Sequence, residues 1–157
     1  MKVNSFTNYA FRILIMLGAN QDRTISLAEV AKAYGISLNH LKKVSARLVE
    51  NGLVHTERGR SGGLRLLREL EDVRLGEIFR ITQTDTAFIE CLGGDPSVCV
   101  ISPVCKLQSI LVVALKSFEK TLNEYTLADL VYNPEALNDH LGMELIASSA
   151  DLKEVRD

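Results

Sequence analysis

The stretch Ser26-Leu-Ala-Glu-Val-Ala-Lys-Ala-Tyr-Gly-Ile-Ser-Leu-Asn-His-Leu-Lys-Lys-Val-Ser-Ala-Arg-Leu-Val-Glu-Asn-Gly52 decides the fold. Its first four residues form a capping box, in which a Ser hydroxyl and a Glu carboxylate satisfy free N–H groups at a helix start. Gly35 permits a tight turn after this short helix, and Ser37 supplies a second N-cap. The second helix ends at Asn51-Gly52. Two capped helices joined by a glycine turn predict a helix-turn-helix.

The flanking residues extend this unit on both sides. On the N-terminal side, apolar residues recur at spacings of three and four and predict a first helix: Phe6, Ala10, Ile13, Leu14 and Leu17. On the C-terminal side, two segments of strand character surround a Gly-rich, basic tip and predict a hairpin: Leu53–Glu57 and Leu64–Leu66. The expected fold is therefore mainly α with a small β-hairpin, a winged helix-turn-helix.

A long amphipathic segment follows further along the chain. Residues Val73–Ile81 predict a short helix, and Ser102-Pro103 supplies a cap and a helix-starting proline. Apolar residues then continue at helical spacing to Leu122, a stripe longer than so small a domain needs for its own core. This pattern predicts a dimerisation helix from Pro103 to about Asn123. Residues Tyr125–Val131 predict a further short helix packed on it.

The domain organisation follows from these elements. Residues 1–80 are expected to form the winged-helix domain, and residues 81–105 a cysteine loop. The dimerisation helix and a C-terminal helix occupy residues 103–146. Residues 147–157 are small and charged and are expected to form a flexible tail.

Charge is distributed unevenly along the chain. The net charge of the 157 residues is −2, yet residues 1–68 hold eleven Lys or Arg against four Asp or Glu, a balance of +7. The remainder holds seven against sixteen, a balance of −9. A basic domain within an acidic protein is typical of a surface that binds a polyanion.

Double-stranded DNA is the polyanion that a winged helix binds. The start of the second helix of the motif would present polar groups to the major groove: Ser37, Asn39, His40, Lys42 and Lys43. The arginines of the wing suit phosphate or minor-groove contacts: Arg58, Arg60 and Arg65. A solvated polar helix face is the alternative explanation of the helix residues taken alone.

Other functional classes find no support in the sequence. It contains no hydrolase triad and no nucleotide-binding glycine motif, so we expect no enzyme. The apolar run Ile13–Ala19 is too short to cross a bilayer, and no signal peptide precedes it, so we expect a cytoplasmic protein without membrane contact.

The three cysteines of the chain, Cys91, Cys99 and Cys105, fall within fifteen residues. In a reducing cytosol, clustered cysteines indicate metal ligands or redox groups rather than disulfides. The spacing lacks the C-x2-C pairs of a zinc ribbon and suits an iron-sulfur cluster better than zinc. Cys105 is expected in the first turn of the long helix, where the helix dipole favours thiolate. Three thiolates leave one coordination position open.

Several segments together resemble the Rrf-type bacterial repressors, over about Met1 to Leu141. They are Ser5–Arg12, Ala33–Leu41, Arg58–Arg65, the three cysteines and Tyr125–Val131. The resemblance implies a dimeric winged-helix repressor that holds an iron-sulfur cluster, of two-iron or four-iron type. Two DNA-binding domains that read symmetric half-sites favour a pseudo-palindromic operator. The start of the recognition helix and the Tyr125–Val131 segment look most like the nitric-oxide-sensing members, which makes nitric oxide the expected effector.

The resemblance also implies a fourth ligand at position 8, where those members have an aspartate donated across the dimer. This chain has Asn8, and a neutral amide is a poorer iron ligand than a carboxylate. The same asparagine and the wide first cysteine spacing resemble the iron-responsive members of the family. Iron-responsive repression is therefore the alternative function, and a zinc-stabilised DNA-binding protein without cluster sensing is a third.

Overall fold

A computed structural model describes residues 3–59, 62–83, 100–101 and 104–143. Within them the elements are α1 (Ser5–Gly18), α2 (Leu27–Tyr34), α3 (Leu38–Glu50), β1 (Val54–Glu57), β2 (Gly63–Leu66), a 3-10 turn (Leu70–Asp72), α4 (Leu75–Thr82), α5 (Leu107–Leu122), α6 (Leu127–Leu130) and α7 (Pro134–Leu141). The predicted tail at 147–157, Arg60, Ser102-Pro103 and most of the cysteine loop lie outside the described residues.

Helix α1 forms the centre of the core. Its predicted apolar stripe is confirmed, since Ile13 and Leu14 are fully buried and Leu17 nearly so. Helices α2, α3, α4, α6 and α7 and strand β2 all contact α1. The recognition helix α3 packs against it through one face, where Leu41 and Leu48 are fully buried. Burial of one such side chain contributes about 1.5–3 kcal/mol, so this face fixes the orientation of α3.

Both hydrogen bonds of the predicted capping box at the start of α2 are present. Ser26 Oγ accepts from the Glu29 N–H at 3.2 Å, and Glu29 Oε2 accepts from the Ser26 N–H at 2.8 Å. Gly35 ends the helix with φ of 63°, a conformation that glycine adopts without strain. Ser37 occupies the N-cap position of α3 as predicted, but its hydroxyl makes no capping hydrogen bond there.

The two strands form the predicted antiparallel hairpin, with Val54 opposite Leu66 and Glu57 opposite Gly63. The hairpin is also joined to the start of α2. Ile25 and Leu64 exchange two backbone hydrogen bonds, of 3.0 and 2.8 Å. A Cβ on Gly63 would lie 2.7 Å from the Ile25 carbonyl oxygen, so only glycine permits this approach.

The predicted start of the long helix is wrong. Helix α5 begins at Leu107 rather than at Pro103, because Lys106 is the residue whose carbonyl accepts the first helical hydrogen bond, from Ile110 at 3.2 Å. Before it, the Val104 N–H donates to the Ile101 carbonyl at 3.0 Å and closes a turn instead. Cys105 therefore precedes the helix and does not lie in its first turn.

Helix α5 packs on α4 along one side and leaves the other side open. Phe118 meets Phe79 edge to face, with 5.0 Å between ring centroids, and Arg80 pairs with Glu119 at 3.4 Å. No residue of α5 is fully buried. On the open side, Ile110 is 61% and Val113 63% exposed. Within this chain the apolar stripe is thus only partly covered.

The prediction that the Tyr125–Val131 segment packs on the long helix is wrong. Helix α6 packs chiefly on α1 and the 3-10 turn. Its Leu127 side chain is fully buried, and the Leu127 N–H donates to the Val73 carbonyl, just after the 3-10 turn, at 2.9 Å. Val131 lies against Gly18 of α1. After α6, Asn133 caps α7 by accepting from the Ala136 N–H at 3.1 Å.

We predict that Gly76→Ala separates α4 from α5. A Cβ at this position would lie 2.7 Å from the Glu119 carbonyl oxygen and would also clash with the Asn123 side chain. The expected cost is about 1–3 kcal/mol of unfolding free energy, measured by urea denaturation. Arg80→Ala, on the same helix, removes only an exposed ion pair and should cost under about 1 kcal/mol. Equal stability of Gly76→Ala and the native protein would contradict the close approach.

A second prediction concerns pH and the start of α2. Burial raises the pKa of Glu29, but hydrogen bonds from Arg23 and Ser26 outweigh it and hold that pKa below the ordinary value of 4.5. The stabilisation is therefore present above pH 4.5 and lost as pH falls through the lowered pKa. Glu29→Gln should be less stable than the native protein at neutral pH, with the difference closing in acid. Glu71→Gln is the control for loss of one charge, and a pH-independent difference would refute the assignment.

Candidate nucleic-acid interface

The first turns of α3 present a polar surface. Five residues with a predicted role at DNA are exposed there: Ser37, Asn39, His40, Lys42 and Lys43. The opposite face of α3 is buried in the core through Leu41, Val44 and Leu48. The helix therefore offers amide, imidazole and ammonium groups from a rigid support, as recognition of base edges and phosphates requires.

His40 is held by a neighbour on α1 that the sequence did not indicate. The ring of Tyr9 stacks on the His40 ring, with centroids 6.3 Å apart and planes inclined by 22°. The backbone N–H of His40 donates to the Ser37 carbonyl at 3.1 Å. Tyr9 lies beside the apolar stripe of α1 rather than within it, so helical periodicity carries no signal of this role. An apolar side chain, Leu38, is 39% exposed on the same surface.

The wing arginines have different environments. Arg58 is exposed near the tip of the hairpin. Arg65 is half-buried and engaged, since its Nε lies 3.3 Å from Glu57 Oε1 and its Nη1 donates to the Gln21 carbonyl at 3.2 Å. Arg60 lies outside the described residues. The structure therefore leaves Arg58 accessible and gives Arg65 a bracing role between the wing and the loop before α2.

Part of the positive charge of the N-terminal domain is neutralised internally. Arg23 pairs with Glu29 at 2.7 Å, and Arg68 with Glu77 at 2.8 Å. Arg12 lies over the Tyr34 ring, 5.2 Å from its centroid. Burial raises the pKa of Tyr34 although Arg12 opposes the shift, so this ring is neutral beneath the cation. Lys42 and Lys43 of α3 and Arg58 of the wing, by contrast, are exposed to solvent.

The predicted cluster ligands are only partly within the described residues. Cys105 is half-buried with a free thiol, between the turn at Ile101–Val104 and the start of α5. Asn8 is exposed on the first turn of α1. Cys91 and Cys99 lie outside the described residues, so the grouping of the three thiols stays a prediction. A free thiol and an accessible amide are donors that an iron centre accepts, with the thiolate by far the stronger.

Comparison with known proteins identifies the family. The model of the Rrf2 family, described as an iron-dependent transcriptional regulator, matches residues 3–133. The HTH-type transcriptional regulator NsrR of Bacillus subtilis is 43% identical over 145 residues, which are 92% of this chain and 99% of that protein. The NsrR of Bacillus licheniformis is 38% identical over 136 residues, 86% and 95% of the two chains.

Solved structures show the same fold. The IscR structure from T. potens has a TM-score of 0.67 at 25% identity and covers 97% of this chain and 96% of that one. CymR of B. subtilis, described as a global cysteine regulator, has a TM-score of 0.65 at 23% identity and covers 84% and 97%. Within the described residues no helix is long and apolar enough to cross a membrane.

These relatives confirm the predicted winged-helix fold and the family resemblance. Proteins named as transcriptional regulators match nearly the whole chain, so the protein is a transcriptional repressor and not an enzyme. The chain belongs to the Rrf2 family of transcriptional regulators.

Proposed function

We propose that the protein is a homodimeric repressor that binds a pseudo-palindromic DNA operator through α3 and the wing. The exposed polar start of α3, fixed from behind by its buried face, is the observation that carries this proposal. Asn39 and His40 contact base edges in the major groove, while Ser37, Lys42 and Lys43 contact phosphates. Arg58, Arg60 and Arg65 of the wing contact phosphates or the minor groove, Arg65 from its position beside Glu57. As a DNA-binding protein it acts in the cytoplasm.

The open side of α5 supports the dimeric state. Leu107, Ile110 and Val113 are each more than half exposed and follow one another along the helix. A soluble protein rarely leaves a run of large apolar side chains in water, and a second copy of α5 covers such a run symmetrically. In this scheme residues 1–80 form the DNA-binding domain, residues 81–105 the cysteine loop, and residues 103–146 the dimerisation unit.

The proposed signal acts on an iron-sulfur cluster of two-iron or four-iron type, held by Cys91, Cys99 and Cys105. The iron dependence in the description of the family and the resemblance to nitric-oxide-sensing repressors support this part. The cluster, when bound, supplies iron that reacts with nitric oxide. Asn8 marks the position of the fourth ligand, and its weak donor leaves that position open to attack.

Regulation follows as a shift between two populations of the dimer. Ligation by Cys105 constrains the chain immediately before α5, and α5 determines the spacing of the two DNA-binding heads. The ligated form favours the spacing that the operator requires, and loss of ligation releases it. An iron-responsive repressor would use the same residues with iron supply as the signal. Iron, sulfide and zinc assays after anaerobic purification distinguish a cluster from a zinc site, and titration with nitric oxide and with an iron chelator distinguishes the two signals.

We predict that Arg58→Ala weakens binding to every DNA sequence alike. The dependence of log affinity on log salt concentration should become shallower by about 1 for each phosphate contact that the substitution removes. Arg65→Ala, on the same hairpin, should in addition lower the unfolding free energy by about 1 kcal/mol because its hydrogen bond to the Gln21 carbonyl is absent. Asn39→Ala and His40→Ala should change sequence preference instead. Native affinity of Arg58→Ala across the salt series would remove the wing from the interface.

The three cysteines should each be needed for the cluster but not for the dimer. We expect Cys91→Ser, Cys99→Ser and Cys105→Ser to bind little iron and sulfide after anaerobic reconstitution. Each should still run as a dimer in analytical ultracentrifugation, because the apolar side of α5 is unchanged. Ser109→Ala, a hydroxyl deletion just after Cys105, is the control and should retain the cluster. Full iron and sulfide content in any cysteine variant would show that this residue is not a ligand.

A further inference from the structure

Two fully buried hydroxyls join the first turn of α1 to the end of α4. Thr7 and Thr82 are both inaccessible to solvent, and their Oγ1 atoms lie 3.1 Å apart. Thr7 Oγ1 also donates to Gln83 Oε1 at 3.2 Å, and Thr82 Oγ1 lies 2.6 Å from the Ile78 carbonyl oxygen. The result is a hydrogen-bonded chain in the protein interior that includes the side chain of Gln83.

Within this chain the Thr7 hydroxyl has two alternative acceptors, Gln83 Oε1 and Thr82 Oγ1. Each hydroxyl carries one proton and donates one hydrogen bond at a time. With the Gln83 oxygen facing Thr7, Thr7 donates to Gln83 Oε1, while Thr82 donates to the Ile78 carbonyl 2.6 Å away. Rotation of the amide would place its NH2 group against Thr7, and Thr7 would then donate to Thr82 and Thr82 to the Ile78 carbonyl. The orientation of Gln83 therefore selects between two discrete arrangements, which is the property that a coupling element requires.

The same turn of α1 reaches the recognition helix. The Thr7 N–H donates to Asn4 Oδ1 at 2.7 Å, which fixes the start of α1. Two residues after Thr7, Tyr9 stacks on His40 in the first turn of α3. Thr7 is thus two residues, or less than one helical turn, from Tyr9, and the Tyr9 ring contacts His40 on the DNA-binding surface.

We propose that Thr7, Thr82 and Gln83 are positioning residues that couple the end of α4 to the first turn of α3. Gln83 is eight residues before Cys91 in the chain, so a change in the cysteine loop alters the strain on Gln83 and through it the hydroxyl chain. Tyr9 transmits that change to His40. This inference rests on the proposed regulation of DNA binding by the cluster and adds the route by which the signal reaches α3.

The test compares operator affinity with and without the cluster. Native protein, Thr7→Val and Thr82→Val are measured after anaerobic reconstitution and after cluster removal, with iron and sulfide content checked for each. We expect the native ratio of the two affinities to be about tenfold or more and each valine variant to lower it at least about threefold. Thr7→Ser and Thr82→Ser retain the hydroxyl and should restore the native ratio. The double valine variant should lose no more than either single variant, because both break one link.

A second measurement uses the cluster-free protein alone. Amide hydrogen exchange at His40 and Leu41 should be faster in the valine variants and native-like in the serine variants. Gln83→Leu, at a partly exposed site, should reproduce the valine result if a buried substitution prevents folding. Equal affinities of the native protein with and without cluster would overturn the proposed regulation, whereas the exchange result would still test the link. Native affinity ratios or native exchange in cleanly folded hydroxyl-deleted variants would overturn the coupling.

Discussion

The fold depends on the burial of one helix face. Helix α1 contributes fully buried Ile13, Leu14 and Met16 to a core that every neighbouring layer shares, from α2 and α3 to the C-terminal α6 and α7. The recognition helix, the wing and α4 thus share one supporting helix, and they also contact one another. A winged-helix head of this size can be rigid because its functional elements have a common support.

The C-terminal elements are tied to the same support by polar contacts. Asn20 and Asn138, both buried, hydrogen-bond side chain to side chain at 2.8 Å, and Asn20 also donates to the Met16 carbonyl at 2.9 Å. A buried amide stabilises the core only when its partners are in place, so this pair specifies one docking position for α7. The C-terminal half of the chain, which carries a net negative charge, therefore packs against the N-terminal half, which carries a net positive charge.

The sequence predicts features whose physical signal is local. The Ser26–Glu29 capping box, the glycine turn at Gly35 and the apolar stripe of α1 depend on residues at fixed spacings, and the structure contains all three. The start of α5 is not local in this sense, because Ser102-Pro103 resembles a helix start in isolation while the hydrogen bonds begin at Lys106. Asn133-Pro134, by contrast, is a true helix start, since the asparagine caps α7 and the proline opens it.

The candidate site likewise combines residues that the sequence predicts with contacts that it does not. Asn39, His40 and the lysines of α3 follow from the helix-turn-helix pattern, since exposure of the first turn is a property of that motif. The engagement of Arg65 with Glu57 and Gln21, and the contact between Tyr9 and His40, join residues from different elements of the fold. Periodicity and spacing contain no information about such contacts. Only a folded chain shows that Arg65 is engaged by neighbouring residues while Arg58 is exposed.

The pairing of Ile25 with Leu64 has a consequence for the choice of operator. Because these two residues bind the wing to the start of α2, the helix-turn-helix and the hairpin form one unit of fixed width. A head built in this way cannot open to accommodate a half-site of different length. In the proposed dimer, variation between target sites must then be absorbed outside the head, in the distance and angle between the two heads or in bending of the DNA itself.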